Sequence, residues 1–556
     1  MVAAALLYLA AVVWLTWPLA ARLATHLPNT HPACNFDLLQ TAWVLAHESR
    51  ALAQAPSTFA DAPIYHPTPG ALFYGDAAFG ALPLYLPPFL ATGNPTLAVN
   101  LAFLVSAALT ALALHAVTRT WTGSHLAGAI AGWTFLVTRW TLWDFAPSAP
   151  QYTGLFWFPF VILLATWPPS RGRDLGLAAL IALQSLASPV YVSAALLVPL
   201  GTIAAVRVVR ATSRRDGLRL LGAMSLSVLL LVPVVAGYVA VRVAHPDLES
   251  YWGWWHPTSE LPWGPFAAPQ VPTAVPVVVF ALAAAGLVSR LVPWRDRVPP
   301  VSGRVLGHVV LWSAAGIVMG IAPAATWYGR PIRIPQTLLA EWLPLYRTLR
   351  ETFRLGIAGL MGLSLTAGLG FALCAARLPA RGRTATLVGT LLALVVAGEM
   401  YREYRGTGFV GRQPLPPEYP LLQPPASADP LVHALAADQG PVLEVPVKDR
   451  TFLAVPGYQT RAMYRGIFHH RPLVNGYGGY WPPGFRDRMI LASRLPDPAA
   501  LAALRQQTGL TTVVVNARSM PPTELATWQR TLTEGSPGLR PTGTYGDAVV
   551  LDARGE

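Results

Sequence analysis

The amino-acid sequence predicts an α-helical multi-pass membrane protein followed by a small α/β domain outside the membrane. Of the 556 residues, 53% are hydrophobic and 12% are charged, whereas soluble chains carry roughly 25% charged residues. About eleven apolar stretches long enough to cross a bilayer as helices precede residue 400, and the pattern stops there. We therefore predict a membrane domain over residues 1–400 and a C-terminal domain over residues 401–556.

Each predicted transmembrane helix corresponds to one apolar stretch. The stretches cover residues 2–21, 95–117, 124–142, 153–168, 175–188, 190–206, 219–241, 271–289, 305–323, 355–376 and 384–400. Two of them are separated by Ser188-Pro189 alone, so the division of residues 175–206 into two helices is the least certain boundary.

The distribution of arginine predicts the orientation in the membrane, because positively charged connections resist translocation. Alternate connections are rich in arginine, for example Arg171 and Arg173, while the opposite connections collect acids such as Asp37 and Glu260. The arginine-rich connections are therefore expected in the cytoplasm. The N-terminus is then cytoplasmic and the C-terminal domain lies outside.

Charge and cysteine usage exclude several function classes. The formal net charge is +13 and Lys448 is the only lysine, but the arginines lie between apolar runs rather than on a soluble basic face, so nucleic acid is not an expected partner. Cys34 and Cys374 do not have metal-ligand spacing, and no disulfide is implied. No phosphate-binding loop, dinucleotide fingerprint or serine nucleophile elbow is present.

A long outer loop over residues 22–94 follows the first predicted helix. Loops of this length usually carry function or are disordered. Residues 36–48 have the periodicity of an amphipathic helix at the membrane interface. Residues 79–90 are apolar but too short and too rich in proline to cross the bilayer.

Carboxylates at the outer surface are candidates for catalysis. Asp37 lies just above the bilayer, where it could accept a proton as a general base; alternatively, it begins a helix and interacts with the helix dipole. Asp76 and Asp144 could bind a divalent cation such as Mg²⁺ or Mn²⁺ with His66 nearby. Equally, these are loop carboxylates in water.

Arginines in one predicted outer connection break the charge rule and are candidates for binding phosphate. Arg347, Arg350 and Arg354 recur at spacings of three and four residues, which would align them on one face of a helix. Such a row suits a lipid-linked phosphate or pyrophosphate. Pairing with Glu341 and Glu351, or binding of ordinary phospholipid headgroups, would explain the same residues.

Aromatic and polar residues in two further segments could contact a sugar. These candidates are Trp254 and Trp255 in an outer connection, and His469, Asn475 and Tyr477 in the C-terminal domain. An interfacial tryptophan belt and a plain glycine-rich turn are the ordinary explanations. In the same domain, 442–447 and 511–515 are predicted strands, and 497–508 and 522–533 are predicted helices.

Several motifs resemble the GT-C superfamily of membrane glycosyltransferases, in particular its bacterial members. The resemblance covers nearly the whole chain. The motifs are Asn35-Phe36-Asp37 with Trp43, Ile64-Tyr65-His66-Pro67, the segment from Ala71 to Asp76, Thr92-Gly93-Asn94-Pro95, the arginine segment from Leu343 to Arg354, and Pro472-Leu473-Val474-Asn475-Gly476-Tyr477.

The resemblance implies a donor sugar linked to polyprenyl phosphate and a transfer reaction at the outer face of the bacterial plasma membrane. It assigns catalytic roles to Asp37 and Asp76, and the arginine row would hold the lipid phosphate. Some members of the superfamily have an Asp-x-Asp pair where Asp144 stands alone. The acceptor would be a glycan, lipid or protein of the cell envelope.

Two other functions remain open from the sequence. A flippase or exporter of lipid-linked glycans would line a cavity among the helices with arginines. A non-catalytic envelope-assembly factor would depend on the C-terminal domain and would not need Asp37.

Overall fold

The structure, a computed structural model, is mainly helical and describes residues 1–251, 258–261, 275–288, 302–321, 324–342, 349, 351–377, 382–406 and 413–555. In the first half of the chain the helices are α1 (Val2–Leu15), α2 (Asn35–Gln54), α3 (Leu82–Thr92), α4 (Pro95–Thr122), α5 (His125–Leu136), α6 (Phe158–Thr166), α7 (Arg171–Ser185), α8 (Tyr191–Val209) and α9 (Arg214–Ala244).

Among the later described residues, the helices are α10 (Val277–Val288), α11 (Gly303–Met319), α12 (Pro335–Trp342), α13 (Ile357–Ala375), α14 (Gly382–Arg405), α15 (Pro430–Ala436), α16 (Pro456–His469), α17 (Phe485–Ala492), α18 (Pro498–Thr508) and α19 (Pro522–Glu534). Each predicted span contains one of these helices or its described part, and residues 175–206 form two helices, α7 and α8, as predicted.

Five helical segments are long and apolar enough to cross a membrane, so the chain is a multi-pass membrane protein. They are Pro95–Thr122, Tyr191–Val209, Ala211–Ala244, Thr352–Ala375 and Arg383–Arg405. Five shorter apolar helices, Val2–Leu15, Phe79–Thr92, His125–Leu136, Val277–Val288 and Gly303–Met319, accompany them. The exact count of eleven crossings stays a prediction.

Small residues allow the central helices of the bundle to pack closely. At Gly316 in α11, an added Cβ would lie 1.8 Å from the backbone nitrogen of Gly359 in α13. At Gly370, also in α13, it would lie 2.0 Å from the carbonyl oxygen of Leu282 in α10. Helices in membranes associate through such close backbone contacts because lipid supplies no hydrophobic driving force between them.

The long loop after α1 is largely ordered and packs against the C-terminal region, residues 413–555. Leu38, Tyr65 and Tyr74 of the loop share one buried hydrophobic cluster with Val474 and Phe485 of that region. Backbone hydrogen bonds join the two segments as well: the amide of Tyr65 donates to the carbonyl of Asn475 at 3.0 Å. The loop therefore holds the C-terminal region against the membrane helices.

The C-terminal region contains a four-stranded mixed sheet in the order β10-β11-β9-β7. Its strands are β7 (Val442–Val445), β9 (Thr512–Asn516), β10 (Arg540–Tyr545) and β11 (Ala548–Asp552). Strands β7 and β9 are parallel, with Val445 opposite Val515. Both are buried strands at the predicted positions, and α18 and α19 match the predicted helices.

Three small sheets tie other connections together. Their strands are β1 (Leu27–Pro28) with β6 (Leu421–Leu422), β2 (Glu249–Ser250) with β8 (Tyr480–Trp481), and β3 (Thr258–Leu261), β4 (Ala324–Trp327) and β5 (Arg330–Ile332) as a three-stranded sheet. The β1–β6 and β2–β8 pairs attach the C-terminal region to the connections of the helical bundle.

Candidate active site

The first turn of α2 positions Asp37. The hydroxyl of Tyr477, from the C-terminal region, donates to Asp37 Oδ1 at 3.0 Å, and Gln40 Nε2 donates to the backbone carbonyl of Tyr477 at 3.3 Å. The ring of Phe36 meets that of Tyr477 edge-on, with centroids 5.4 Å apart. Asp37 is thus held at a junction between the first long loop and the C-terminal region.

Asp76 lies in the loop that follows a short 3-10 helix, Ala71–Tyr74. The hydroxyl of Ser188, between α7 and α8, donates to Asp76 Oδ2 at 3.0 Å. Burial raises the pKa of the Asp76 carboxyl to about 6, although the Ser188 hydrogen bond and the nearby Arg354 act in the opposite direction. Asp76 therefore titrates near physiological pH, as functional carboxyls often do.

Arg354 lies in a 3-10 helix at the start of the span Thr352–Ala375. Its guanidinium carbon is 4.9 Å from the ring centroids of Phe145 and Tyr191, 5.7 Å from that of Tyr152 and 6.0 Å from that of Phe353. Four aromatic rings thus surround the cation, an arrangement in which ring faces attract positive charge.

The guanidinium of Arg354 retains donors for a ligand. Its Nε is buried without a hydrogen-bond partner, and within the described part of the chain the side chain forms no hydrogen bond or ion pair. Asp37 and Glu351 are nonetheless close enough to interact with it electrostatically, and so is Asp76. A cation and several carboxylates therefore share one site.

Cys34 lies in the same place. Burial raises the pKa of its thiol to about 12, and the charges of Asp37, Arg354 and Glu351 all act on it. A thiol with a raised pKa is a poor nucleophile because the thiolate is the reactive form. We therefore assign no chemical role to Cys34, but its surroundings locate the three charged groups around one point.

Glu48 is a residue of this region that the sequence analysis did not select. It is fully buried in α2, both of its carboxylate oxygens lack a hydrogen-bond partner among the described residues, and burial together with nearby Asp76 holds the pKa of its carboxyl well above the usual range. Asp37 and Glu48 are eleven positions apart, about three helical turns, so they share one face of α2.

Asp144 and His66 do not face each other. Asp144 ends a short π-helical turn, Trp140–Asp144, and lies near Tyr404, whereas His66 contacts the C-terminal region near Arg488. Over the described ranges, no three His, Cys, Asp or Glu side chains form a group that could hold a metal ion. Asp144 and His66 thus have different neighbours, and a metal site at these residues, like dependence on Mg²⁺ or Mn²⁺, stays a prediction.

Several predicted site residues fall outside the described residues. They are Arg347 and Arg350 of the arginine row and Trp254 and Trp255 of the aromatic connection. Of the other arginines that break the charge rule, Arg333 is exposed and lies 3.7 Å from Glu341. Such a contact agrees with the alternative explanation that the arginines of this connection pair with Glu341 and Glu351.

The three predicted sugar-contacting residues of the C-terminal region have different surroundings. Asn475 is fully buried, and its amide bonds to the backbone of Glu444 and to Gln459. His469 is 4% exposed, and its Nδ1 accepts the amide of Arg471. These two side chains are enclosed by the protein, and contact of either with a sugar stays a prediction. Tyr477 alone of the three reaches the candidate site.

The sequence could not have located the aromatic residues around Arg354. Phe145 and Tyr152 come from the connection between α5 and α6, Tyr191 begins α8, and none of the three stands in a motif. Glu48 did carry a signal, because an acid on the buried face of an amphipathic helix is unusual unless it is paired or functional.

Comparison with known proteins was made at the levels of sequence and structure. No protein-family model matches the sequence, and no curated protein matches it. The crystal structure of ArnT from Cupriavidus metallidurans bound to undecaprenyl phosphate is similar over 99% of this chain and 97% of that chain, with a TM-score of 0.50 and 14% sequence identity. Its apo state gives a TM-score of 0.49 at the same identity and coverage.

At this level of identity the likeness concerns the fold alone. It extends over nearly the full length of both chains, as the resemblance of the sequence motifs led us to expect. This chain therefore has a multi-pass membrane fold similar to that of ArnT.

Proposed function

We propose that this protein is a membrane glycosyltransferase that moves a sugar from a polyprenyl-phosphate-linked donor to a glycan, lipid or protein acceptor of the bacterial cell envelope. One observation carries the proposal. The caged guanidinium of Arg354 has no hydrogen bond or ion pair within the described residues, and it lies beside Asp37 and Asp76. That arrangement suits an anionic leaving group next to acid–base residues.

The surroundings of Arg354 favour a lipid phosphate as that anion. A guanidinium binds phosphate through parallel N–H donors, and Arg354 stands at the end of an apolar span, the depth at which the phosphate of a membrane lipid lies. The rings of Phe145, Tyr152 and Tyr191 provide apolar surface for the first units of a prenyl chain. The crystal structure of ArnT contains bound undecaprenyl phosphate, a lipid of this chemistry.

The proposed reaction uses three side chains. A hydroxyl oxygen of the acceptor attacks the anomeric carbon of the donor sugar, the bond from that carbon to the phosphate oxygen breaks, and the phosphate keeps the electron pair. Arg354 stabilises the charge that develops on the phosphate. Asp37, oriented by Tyr477, accepts the proton of the attacking hydroxyl.

Asp76 is proposed to support the reaction as a carboxylate. Glycosyl transfer passes through a transition state with positive charge on the sugar ring, and an ionised carboxylate close to Arg354 would stabilise that charge. At pH 7 the carboxyl, with a pKa of about 6, is mostly ionised. Its hydrogen bond from Ser188 fixes the direction of the charge.

Helices α7, α8 and α9 support a reaction at the outer face of the membrane. One end of this helix group carries ion pairs of Asp216 with Arg173 and Arg207. Arginine-rich ends of membrane helices stay in the cytoplasm. The opposite ends carry Tyr191 of the site and Ser188 just before it. Because α8 has 19 residues and spans about 28 Å, the two ends lie on opposite sides of a bilayer.

Mass spectrometry of the lipids that co-purify with the protein from native membranes tests the proposal. Wild type is expected to carry a polyprenyl phosphate, with or without its sugar, and Arg354→Ala is expected to lose it. Arg333→Ala is the matched control, since Arg333 is exposed and pairs with Glu341. Bulk phospholipid alone in all three preparations would contradict the donor assignment and favour an exporter or an assembly factor.

A further inference from the structure

We propose a second ligand site in the C-terminal region, a cleft that binds an oxyanion group, carboxylate or phosphate, of the acceptor glycan. This inference rests on the proposed glycosyltransferase function. The cleft is open to solvent, and its cavity volume of about 40 Å³ suits a small anionic group. Its lining residues are Glu444, Pro446, Tyr458, Arg461, Arg465, Asn516 and Ser519.

The cleft lies at the carboxyl ends of two parallel strands. Glu444 and Pro446 stand at the end of β7, and Asn516 is the last residue of β9. In α/β sheets, ligands bind outside the carboxyl ends of parallel strands, where the chain leaves the sheet and leaves a crevice. Backbone geometry alone therefore places a binding crevice at this edge of the sheet.

One face of α16 supplies the opposite wall. Tyr458, Arg461 and Arg465 follow each other at intervals of three and four residues, so they project from the same side of the helix. The Tyr458 hydroxyl donates to the carbonyl of Ser519 at 3.0 Å, which holds the helix against the segment after β9. The arginines are consequently directed into a cleft whose two walls are joined.

The acid of the cleft is already neutralised. Glu444 is 3% exposed and forms a two-point ion pair with Arg465, whose Nε donates to Oε1 at 2.9 Å. Asn516 Nδ2 donates to Glu444 Oε2 at 3.1 Å. Because Glu444 is fully engaged, it leaves the charge of the remaining arginine, Arg461, uncompensated.

Two arginines at the cleft have no partner. Arg461 and Arg518 are exposed, and neither forms a hydrogen bond or ion pair within the described ranges of the chain. They are close to each other, because the positive charges of Arg465 and Arg518 both act on the Arg461 guanidinium. Three guanidinium groups with one acid between them form a site for an anion.

The acids closest to this cluster are engaged elsewhere. Asp449 and Glu524 lie near Tyr458. The Asp449 carboxylate accepts the backbone amides of Thr451 and Phe452 at 2.6 and 2.7 Å, and Glu524 is close to Lys448. Neither is paired with Arg461.

The polar lining fits a glycan rather than a bare ion. Tyr458, Asn516 and Ser519 place hydroxyl and amide groups beside the arginines, and such groups bind sugar hydroxyls. An acidic sugar, or a sugar phosphate within a glycan, combines both kinds of group. The cleft would then hold an acidic acceptor glycan away from the donor site.

Binding to the full-length protein in detergent tests the site. The probes are a trigalacturonate for the carboxylate, glucose 1-phosphate for the phosphate, and a neutral trigalactose, each titrated by calorimetry at low salt. We expect one charged probe to bind wild type, and its affinity to fall at least about tenfold in Arg461→Ala/Arg518→Ala, since hydrogen bonds to charged groups are lost. The probe that binds more tightly identifies the oxyanion.

The control is Arg530→Ala, which changes an exposed arginine of α19 that does not line the cleft. Its affinity is expected to equal that of wild type. The inference is overturned if no charged probe binds or if trigalactose binds equally well. It is also overturned if Arg530→Ala weakens binding as much as Arg461→Ala/Arg518→Ala, because that result would indicate a diffuse charge effect. Arg354→Ala is expected to leave this binding intact while losing the donor lipid, so the cleft and the proposed function can fail separately.

Discussion

At the scale of single residues, the site combines a cation that has no bonded partner among the described residues with carboxylates in different environments. Arg354 is enclosed by aromatic rings, Asp37 accepts a hydrogen bond from Tyr477, and Asp76 accepts one from Ser188. Carboxyls whose environments separate their titration often divide acid, base and electrostatic roles. Their roles can therefore be separated by pH and by conservative substitution.

The raised pKa of Asp76 predicts an acid limb in the activity profile. If the ionised carboxylate supports transfer, the rate falls as the pH drops through about 6, the pKa of this carboxyl. Asp76→Asn lowers the rate and removes that limb. Asp61→Asn, which alters a loop carboxylate bonded to the Gly70 amide, keeps it. A limb that persists unchanged in Asp76→Asn would show that another group titrates there.

The same shift predicts a dependence of stability on pH. The pKa of Asp76 is about 6 in the folded protein against an ordinary value of 3.8. Between these values the unfolded chain is ionised while the folded chain stays protonated, so stability decreases as pH rises through this window. The thermal midpoint of Asp76→Asn minus that of wild type should therefore increase from pH 4 to pH 6. A constant difference would contradict the shift.

At the scale of elements, the contact between the long loop and the C-terminal region delivers Tyr477 to Asp37. Gly476 makes this approach possible, because an added Cβ would lie 2.3 Å from the ring of Tyr65, which is fully buried. Gly476→Ala should destabilise the fold by roughly 1–3 kcal/mol through overpacking and lower transfer. The measurements are the thermal midpoint in detergent and the transfer rate.

The control for that substitution is Gly457→Ala in α16. An added Cβ there meets no atom within 4 Å, and alanine favours a helix over glycine by about 0.5–1 kcal/mol. Its stability should equal or exceed that of wild type. Equal effects of the two substitutions would mean that the Gly476 contact does not position Tyr477.

The ion pairs where one end each of α7, α8, α9 and α11 meet predict a further effect. Asp216 lies 2.6 Å from Arg173 and 3.0 Å from both Arg207 and Arg304. Asp216→Asn leaves these cations without their shared partner, which should cost on the order of 3 kcal/mol of stability. The control is Glu399→Gln, which removes the surface ion pair with Arg402 and should leave the thermal midpoint unchanged. An unchanged thermal midpoint in Asp216→Asn would contradict the expectation.

At the scale of the whole molecule, the sequence predicts the helical elements well because hydrophobic length is a local property. It also selects Asp37 and Asp76 as candidates, since both stand in recognisable motifs, and their roles stay a prediction. The predicted site was incomplete where it depends on distant contacts. Tyr477 lies 440 positions from Asp37, and no local pattern indicates that their side chains meet.

Other parts of the predicted site also have surroundings that no local pattern shows. Asn475 and His469 belong to a glycine-rich polar segment of the kind that contacts sugars, but their side chains instead satisfy buried backbone and side-chain groups. Asp144 and His66 were grouped by residue type, although the fold directs them to different neighbours. A polar residue in a loop-like sequence does not show which way its side chain points.

The most direct measurement of the central claim compares the lipid carried by two variants, in parallel with transfer. Asp37→Asn should retain the sugar-bearing polyprenyl phosphate, detected by mass spectrometry, while its transfer rate falls by a factor on the order of 10²–10⁴, because the base is lost and the phosphate site is intact. Arg354→Ala should carry no such lipid. Transfer at the wild-type rate by Asp37→Asn, or retention of the lipid by Arg354→Ala, would contradict the account.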